Sequence, residues 1–357
     1  MDDFDLERYD YTLPQEAIAQ VPVEPRDHSR LMVVKEAGHE HHFFYELPDL
    51  LQSGDLLVLN DTRVLPARLL GIRAGGGQAE ILLLHERSAQ QWECLVRPGR
   101  RLLPGSKVTL GGGVQAEILT REAGGTRTVQ FHLPPEVPFM DWLQATGTLP
   151  LPPYITEPNL DPERYQTLWA STPGAAAAPT AGLHFTHDLL ARLKERKIAM
   201  AYITLHVGVG TFRPLTATDI REHVMHHEWL TVPEATVDQI QQTRQQGGRV
   251  IAVGTTVARA LESASAEGSL RPWQGWSGLY IYPGYRWRSV DGLITNFHLP
   301  KTSLLILVST LVGRERLLAL YQEATARGYR FYSFGDAMLI LGVGRSTDGR
   351  ADTGLCH

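Results

Sequence analysis

The amino-acid sequence predicts an α/β protein: an αβα layered sandwich with a mostly parallel sheet, plus an inserted small antiparallel β-barrel. Strand–turn–helix patterns recur after residue 174, whereas short strands without intervening helices lie between residues 67 and 133. Alternating strands and helices are typical of a parallel sheet covered on both faces. Consecutive short strands favour a barrel.

A chain of 357 residues is long for one hydrophobic core, so two domains are expected. The strand Gly54–Asn60 ends in a polar turn and belongs with the α/β elements, which makes the barrel an insertion. The predicted αβα domain therefore comprises residues 1–66 and 151–345, and the barrel comprises residues 67–150. Residues 346–357 are predicted to be a disordered tail.

Glycine-rich turns separate the predicted barrel strands, as at Gly75–Gly77 and Gly111–Gly113. Eight of the 22 prolines follow between residues 134 and 162, which predicts a surface connection rather than a helix. The strand-length runs are Gln78–Arg87, Gln91–Arg97, Val114–Thr120 and Thr126–Leu133.

After residue 174, the strand Arg249–Gly254 is followed by a helix for which Thr255 or Thr256 is the expected N-cap. Thr186 is the expected N-cap of an earlier helix. The remaining predicted elements are the strand Leu293–Phe297, a helical region Ser303–Arg327 interrupted near Gly313, and the strand Tyr329–Phe334.

The charge distribution is uneven along the chain. The net charge is -5, yet residues 63–131 contain ten basic and five acidic side chains. Such a basic segment predicts contact with a polyanion, with a chance imbalance on a solvated surface as the alternative. The acidic N-terminus lacks a signal-peptide pattern, and the longest apolar run, Leu304–Val312, is too short to span a bilayer. A cytoplasmic enzyme is expected.

Two segments, Pro179–Thr186 and Leu205–Phe212, combine glycine, histidine and threonine. Small residues let a ligand approach the backbone, and histidine and threonine supply hydrogen-bond donors and acceptors. Gly254–Thr256 lies at the start of a predicted helix whose first N–H groups could bind a carboxylate. Ordinary helix capping is an alternative explanation of this motif. We therefore expect a ligand site in the αβα domain.

Seven longer motifs of the sequence resemble, in the same order, those of a known protein family. They are Arg26–Arg30, Asn60–Arg68, Trp92–Gly99, Ala177–Thr186, Gly254–Thr256, Asn296–Pro300 and Phe334–Leu339. Together they resemble the S-adenosylmethionine:tRNA ribosyltransferase-isomerases of queuosine biosynthesis, from the N-terminus to about Ile340. Departures are mild: Ala176 stands where valine is common, and Thr302 where serine is common.

The resemblance implies an unusual reaction. S-adenosylmethionine, as co-substrate, donates its ribosyl part to 7-aminomethyl-7-deazaguanine at the wobble position of tRNA. The product is epoxyqueuosine, and adenine and methionine are released. The resemblance implies the αβα domain with an inserted barrel, no permanently bound cofactor and no metal. The tRNA anticodon stem-loop is the expected partner of a monomeric chain.

This reaction needs a base, hydrogen bonds to the departing adenine and stabilisation of negative charge on ring oxygens. Histidine titrates near neutral pH, which makes His184, His206 and His298 catalytic candidates. Asp336 is a fourth candidate because it follows the last predicted strand. Each histidine has a structural alternative as a turn residue, and Asp336 has one as an N-cap.

Further residues are predicted to bind substrate. Arg97, Arg100 and Arg101 suit phosphate groups, with a solvated hairpin as the alternative. Asp61 and Arg63 orient substrate or pair with each other. The other predicted binding residues are Asn60, Thr180, Gly182, Gly208, Gly210, Thr211, Glu228, Gly254, Thr255, Thr256, Tyr282 and Asn296. Tyr282 belongs to an aromatic group that either stacks on a purine or packs in the core.

Two groups of histidines have a spacing that resembles that of metal ligands. His39, His41 and His42 are expected in a polar turn, as ordinary surface histidines. His223, His226 and His227 precede Glu228 with ligand-like spacing, yet this segment is part of a family-like pattern that uses no metal. No metal is predicted.

Two other functions stay open. An S-adenosylmethionine-dependent tRNA methyltransferase would release S-adenosylhomocysteine, but the sequence offers no glycine-rich cofactor loop: Gly208–Gly210 lacks the third glycine. A non-catalytic RNA-binding protein built on the barrel would leave the glycine, histidine and threonine segments unexplained.

Overall fold

The computed structural model describes residues 3–122, 124–152, 154–155, 161–208 and 215–342. Within these ranges the chain forms a mixed β-sheet and a closed six-stranded antiparallel barrel. This arrangement confirms the predicted fold class. In the same ranges, no helix is both long and apolar enough to cross a membrane.

The strands and helices of the described ranges are numbered in chain order. The strands are β1 (Arg30–Lys35), β2 (Gly38–Phe43), β3 (Leu56–Asn60), β4 (Thr62–Val64), β5 (Arg68–Arg73), β6 (Gln78–Ser88), β7 (Gln91–Arg97), β8 (Lys107–Thr109), β9 (Gln115–Arg121), β10 (Arg127–His132), β11 (Thr172–Ala175), β12 (Ala199–Leu205), β13 (Glu228–Val232), β14 (Val250–Val253), β15 (Trp273–Ser277), β16 (Gly292–Asn296) and β17 (Ala337–Leu341). The α-helices are α1 (Leu47–Leu50), α2 (Phe139–Thr146), α3 (His187–Glu195), α4 (Glu234–Gln245), α5 (Thr255–Ser263), α6 (Ser303–Val312) and α7 (Arg314–Ala326).

The mixed sheet has the strand order β15-β13-β12-β3-β14-β16-β17-β1-β2. The central strands β12, β3, β14 and β16 pair in parallel, and Leu57 of β3 lies between Met200 of β12 and Ile251 of β14. Antiparallel pairs extend the sheet at β16–β17, β1–β2, β12–β13 and β13–β15. Because these four central strands run parallel, their carboxyl ends lie side by side.

Both faces of the sheet are covered, as the αβα prediction requires. Side chains of a strand alternate between faces, so Leu56 and Val58 pack in the cluster that contains residues of α5. Leu57 and Leu59 pack instead with residues of α1 and α3. Each such fully buried leucine contributes about 1.5–3 kcal/mol relative to exposure, so this alternation stabilises the sheet and fixes its register.

The barrel closes in the order β10-β7-β6-β5-β8-β9, and its strands lie within the segment predicted to be inserted. Helix α2 packs on it through Trp142 and Leu143. The prediction that the proline-dense segment contains no helix is wrong here. Pro138 precedes the helix as its N-cap and Gly147 follows it, so the prolines flank the helix and do not interrupt it. The domain boundaries at residues 67 and 150 stay a prediction.

The predicted strand Tyr329–Phe334 is also wrong. Only Phe331 makes an isolated bridge, with Ile18, and the last strand is β17. The aromatic side chains in this segment are buried in the core, so burial within a loop explains the apolar run. In contrast, the interruption at Gly313 is confirmed, because its φ of 84° separates α6 from α7.

Candidate active site

Polar residues and a glycine collect where the parallel strands end. Asn60 ends β3, Gly254 follows β14, Asn296 ends β16 and His206 follows β12. These strands are neighbours in the sheet, so their carboxyl ends meet at one edge. Ligands of open α/β sheets bind in the crevice outside such an edge. Four separate predicted motifs therefore come together.

A small pocket, partly open to solvent, lies at this edge, with a cavity volume of about 50 Å³. Six predicted residues line it: Thr180, Gly254, Thr255, Thr256, Asn296 and His298. Four other lining residues belong to the sequence segments described above: Ala178, Pro179, Ala181 and Val207. Sequence reasoning did not identify Thr295, Leu304, Tyr332 and Ser333.

Gly254 forms the turn from β14 into α5. Its φ of 96° and ψ of 151° lie in a region that glycine adopts far more readily than other residues. The predicted threonine N-cap is wrong, because Gly254 occupies the cap position and Thr255 begins the helix. The first-turn N–H groups have no acceptor within the helix, so the wall formed by Thr255 and Thr256 carries the positive end of the helix dipole.

A hydrogen-bonded chain holds Asn296 in the pocket wall. The Thr180 hydroxyl donates to Oδ1 of Asn296 at 2.9 Å, and Nδ2 of Asn296 donates to Nε2 of His184 at 3.0 Å. Nδ1 of His184 lies 2.7 Å from the Ser29 hydroxyl. With Nε2 accepting, the Nδ1–H donates to Ser29. His184 thus uses both ring nitrogens behind the wall.

The two most buried candidate histidines are neutral near pH 7. Burial, reinforced by the charges of Arg330 and Arg26, lowers the pKa of His184 to about 3. Burial likewise lowers the pKa of His298 to about 3. They differ in position, because His298 lines the pocket and its Nε2 lies 2.9 Å from the Thr295 hydroxyl.

His206 lies beside the pocket, next to the lining residue Val207. Its Nδ1 is 2.8 Å from the Thr62 hydroxyl. The ring packs closely over Gly174, where an added Cβ atom would lie 2.5 Å from Cε1 of His206. Burial lowers the pKa of His206, although Asp61 opposes the shift. This histidine is half-buried, and its contacts fix its ring.

Asp61 and Arg63 do not pair with each other. Asp61 accepts hydrogen bonds from the hydroxyls of Thr204 at 2.6 Å and Thr172 at 3.3 Å. Arg63 pairs with Glu163 at 2.6 Å on the surface. The neighbouring Asn60 is buried and accepts from the backbone N–H of Thr62 and Leu205 at 3.1 and 3.0 Å. These contacts tie β3 to β12.

Asp336 precedes β17 and follows no strand, contrary to the prediction. Its carboxylate accepts from the backbone N–H of Arg30 at 2.8 Å and of Arg330 at 2.7 Å. Burial raises the pKa of Asp336, and these hydrogen bonds partly offset that rise. Because β17 runs antiparallel to β16, Asp336 still lies at the pocket edge, where it holds the loop that carries Tyr332 and Ser333.

Gly182 follows the lining residue Ala181. An added Cβ atom would lie 2.8 Å from Cγ2 of Thr167 and 2.9 Å from the Trp169 ring, so close packing requires this glycine. Tyr282 packs at the core, 5.2 Å from the Tyr280 ring. The predicted binding residues Gly210 and Thr211 lie outside the described residues.

Glu228 belongs to a buried ion pair with Arg259 of α5. Its Oε1 accepts from the backbone N–H of Gly208 at 3.1 Å. Glu228 therefore joins the end of the Leu205–Gly208 segment to the helix that opens at the pocket. His223 packs against Tyr280.

The basic turn after β7 is a second candidate site, within the barrel. It exposes the three arginines predicted to contact phosphate: Arg97, Arg100 and Arg101. In the described ranges, these three arginines form no ion pair. Beneath the turn, the buried Arg127 donates to the carbonyl oxygens of Gly99 at 2.9 Å and Leu102 at 3.1 Å. The turn is thus held from below while its own guanidinium groups stay exposed.

The fold defines an α/β protein with a pocket at its strand ends and a closed antiparallel barrel. The family model described as queuosine biosynthesis protein matches residues 6–340. The S-adenosylmethionine:tRNA ribosyltransferase-isomerase of Gloeobacter violaceus is 59% identical, over 95% of this chain and 96% of that protein. The relative of the same name in Pelotomaculum thermopropionicum is 51% identical, over 94% of this chain and 99% of that protein.

A solved structure is similar as well. The crystal structure of the S-adenosylmethionine tRNA ribosyltransferase from Thermotoga maritima has a TM-score of 0.55 and 38% identity. The match covers 94% of this chain and all of that one. The chain belongs to the queuosine biosynthesis protein family.

Proposed function

We propose that this chain transfers the ribosyl part of S-adenosylmethionine to 7-aminomethyl-7-deazaguanine at the tRNA wobble position and isomerises it. The product is epoxyqueuosine, with adenine and methionine released. The observation that carries the proposal is that six residues from separate family-like motifs line one pocket at the sheet edge. The enzyme acts in the cytoplasm as a monomer, and its reaction uses no permanently bound cofactor and no metal.

S-adenosylmethionine binds in this pocket. The first turn of α5 supplies N–H groups and a positive dipole end for the carboxylate of the methionine part. The lining contains no charged side chain, and burial keeps His298 neutral. A cationic sulfonium therefore enters without repulsion from a nearby imidazolium.

His298 is the proton acceptor, since it lines the pocket and a neutral imidazole has a lone pair available. The sulfonium makes the adjacent C–H acidic, which lets a weak base act. Asn296 hydrogen-bonds the departing adenine or a ring oxygen. His184 is a positioning residue that fixes the Asn296 amide, and Asp336 positions the loop carrying Tyr332 and Ser333.

The residues flanking the pocket bind the remainder of the substrates. His206 and Asp61 approach the modified base, and Gly208 is held toward it by Glu228. Tyr282 and Arg63 play supporting roles, in packing and at the surface. The basic turn of the barrel binds phosphates of the anticodon stem-loop. The chemistry thus belongs to residues 1–66 and 151–345, and docking to residues 67–150.

The products test this proposal. With S-adenosylmethionine and tRNA that carries the aminomethyl-deazaguanine, we expect adenine and methionine in equal amounts, together with epoxyqueuosine in the tRNA by mass spectrometry. S-adenosylhomocysteine with a methylated base would instead establish a methyltransferase. Tight tRNA binding without turnover would establish a non-catalytic RNA-binding protein. Unmodified tRNA is the matched control and should release no adenine.

A further inference from the structure

Three side chains at the β2 edge of the sheet converge away from the pocket lining. The expectation that the histidines lie in a turn is wrong: they lie on β2, where residues two apart share a face. Nε2 of His39 is 2.9 Å from Oε2 of Glu323 on α7, and Nε2 of His41 is 3.0 Å from Oε1. Ligand atoms of all three lie within 4.8 Å of one another.

We propose that His39, His41 and Glu323 form a binding site for a divalent transition-metal ion, with zinc as the ion that fits best. Two imidazoles and a carboxylate are a common zinc ligand set. Tetrahedral ligands at about 2.0–2.1 Å from zinc are about 3.3 Å apart, close to the two distances here. Among the described residues, no other three His, Cys, Asp or Glu side chains meet this proximity condition.

The surroundings of the site favour metal ligation. Metal-bound histidines usually donate their second ring N–H to an oxygen acceptor, which fixes the orientation of the ring. Nδ1 of His41 lies 2.7 Å from the Tyr329 hydroxyl oxygen, which can fill this role. The side chains of His39, His41 and Glu323 are 29%, 27% and 32% exposed, so an ion reaches them from solvent. A water molecule completes the fourth position.

The two carboxylate oxygens of Glu323 have different partners. Nε of Arg327 lies 2.8 Å from Oε1 of Glu323 and competes with an ion for that oxygen. Oε2 keeps only its contact with His39 among the described residues, which leaves it available to a metal.

Zinc at this point would tie the edge strand β2 to α7. Binding to the folded chain alone raises its unfolding temperature. The site contributes no residue to the pocket, so it lies outside the proposed reaction, and removing its ligands should leave turnover unchanged.

Calorimetric titration of tag-free, chelator-treated full-length protein with zinc chloride tests the site. We expect one zinc ion per chain at this site. Changing a partner that only supports a ligand costs about 10–100-fold in metal affinity, so Tyr329→Phe should lose about 10–100-fold in zinc affinity. The His39→Ala/His41→Ala variant lacks two ligands and should lose at least about 100-fold. Zinc should raise the unfolding temperature of the wild type but not of the double variant, and magnesium chloride should raise neither.

His42→Ala is the matched control, because His42 lies on the opposite face of β2 and contacts Glu40 and Glu46. It should bind zinc as the wild type does. Circular dichroism must show that the double variant is folded. The proposal fails if the folded double variant binds zinc with unchanged affinity, or if the wild type binds none.

Discussion

The pocket at the strand ends and the basic turn of the barrel use opposite physical means. The residues that line the pocket are uncharged, and hydrogen bonds with Thr180 and the buried His184 hold Asn296 in place. The basic turn exposes three arginines, and Arg127 holds its backbone from below. Short-range dipoles act only on a correctly placed ligand, whereas exposed charges attract a polyanion over about 10 Å at moderate salt. Chemistry and docking should therefore separate experimentally.

The largest expected effect comes from Asn296→Ala. This change removes the one amide of the pocket wall that is held by both Thr180 and His184. Loss of a positioned hydrogen-bonding group typically costs about 100–1,000-fold in rate. We expect the single-turnover rate at saturating tRNA and S-adenosylmethionine to fall at least about 100-fold, with tRNA affinity unchanged.

The exposed Gln322 on α7 provides a matched amide control. Gln322→Ala should react at the wild-type rate. A wild-type rate in Asn296→Ala would show that this amide has no role in the reaction.

A smaller loss is expected when His184 is changed. His184→Ala should slow the chemical step about 10–100-fold, because a misplaced neighbouring group costs up to about 100-fold. Glutamine offers both an acceptor for Asn296 and a donor for Ser29, so His184→Gln should recover much of this loss. If His184 were the general base, glutamine could not replace it and both variants would be equally slow.

The pH dependence of stability gives an independent check on His184. Its pKa is about 3 when folded and about 6.5 when unfolded, so between these values the unfolded chain binds the extra proton. Stability conferred by neutral His184 is therefore present above about pH 6.5 and falls with decreasing pH by about 1.4 kcal/mol per unit. His184→Gln should flatten the slope of unfolding free energy between pH 4 and 6 by up to that amount. An unchanged slope would show that His184 titrates normally.

Local sequence signals predicted one helix cap correctly and one wrongly. Thr186 as an N-cap follows from side-chain preferences within a few residues, and this cap is confirmed by the hydrogen bond that its hydroxyl accepts from the Leu189 N–H. The cap of α5 is Gly254 instead of the predicted threonine. Tyr332 and Ser333 were missed because a distant contact, between Asp336 and Arg30, holds their loop. The positive φ of 74° at Tyr332 has no signal in the sequence.

The sequence could not rank the three histidines. His184 and His298 are equally buried, and only their position and hydrogen-bond partners separate His184 behind the wall from His298 in it. The strand wrongly predicted at Tyr329–Phe334 has the same origin: an apolar run indicates burial but does not distinguish a strand from a packed loop. Contacts between distant segments determine both cases.

The smallest expected effect on chemistry comes from the basic turn. Arg100→Ala/Arg101→Ala should weaken tRNA binding, because each lost phosphate contact removes the counterions that binding would release. The slope of log affinity against log salt concentration should flatten by about 0.7–0.9 for each lost contact.

Arg192→Ala/Arg196→Ala is the charge-matched control, since both arginines contact Asp49 on the surface of the αβα layers. The control should keep the wild-type salt slope. At saturating tRNA the single-turnover rate of the turn variant should stay within about twofold of wild type, because the pocket is intact. An unchanged slope would mean that the turn is only a solvated hairpin, and a lost rate at saturation would mean that docking and chemistry are not separate.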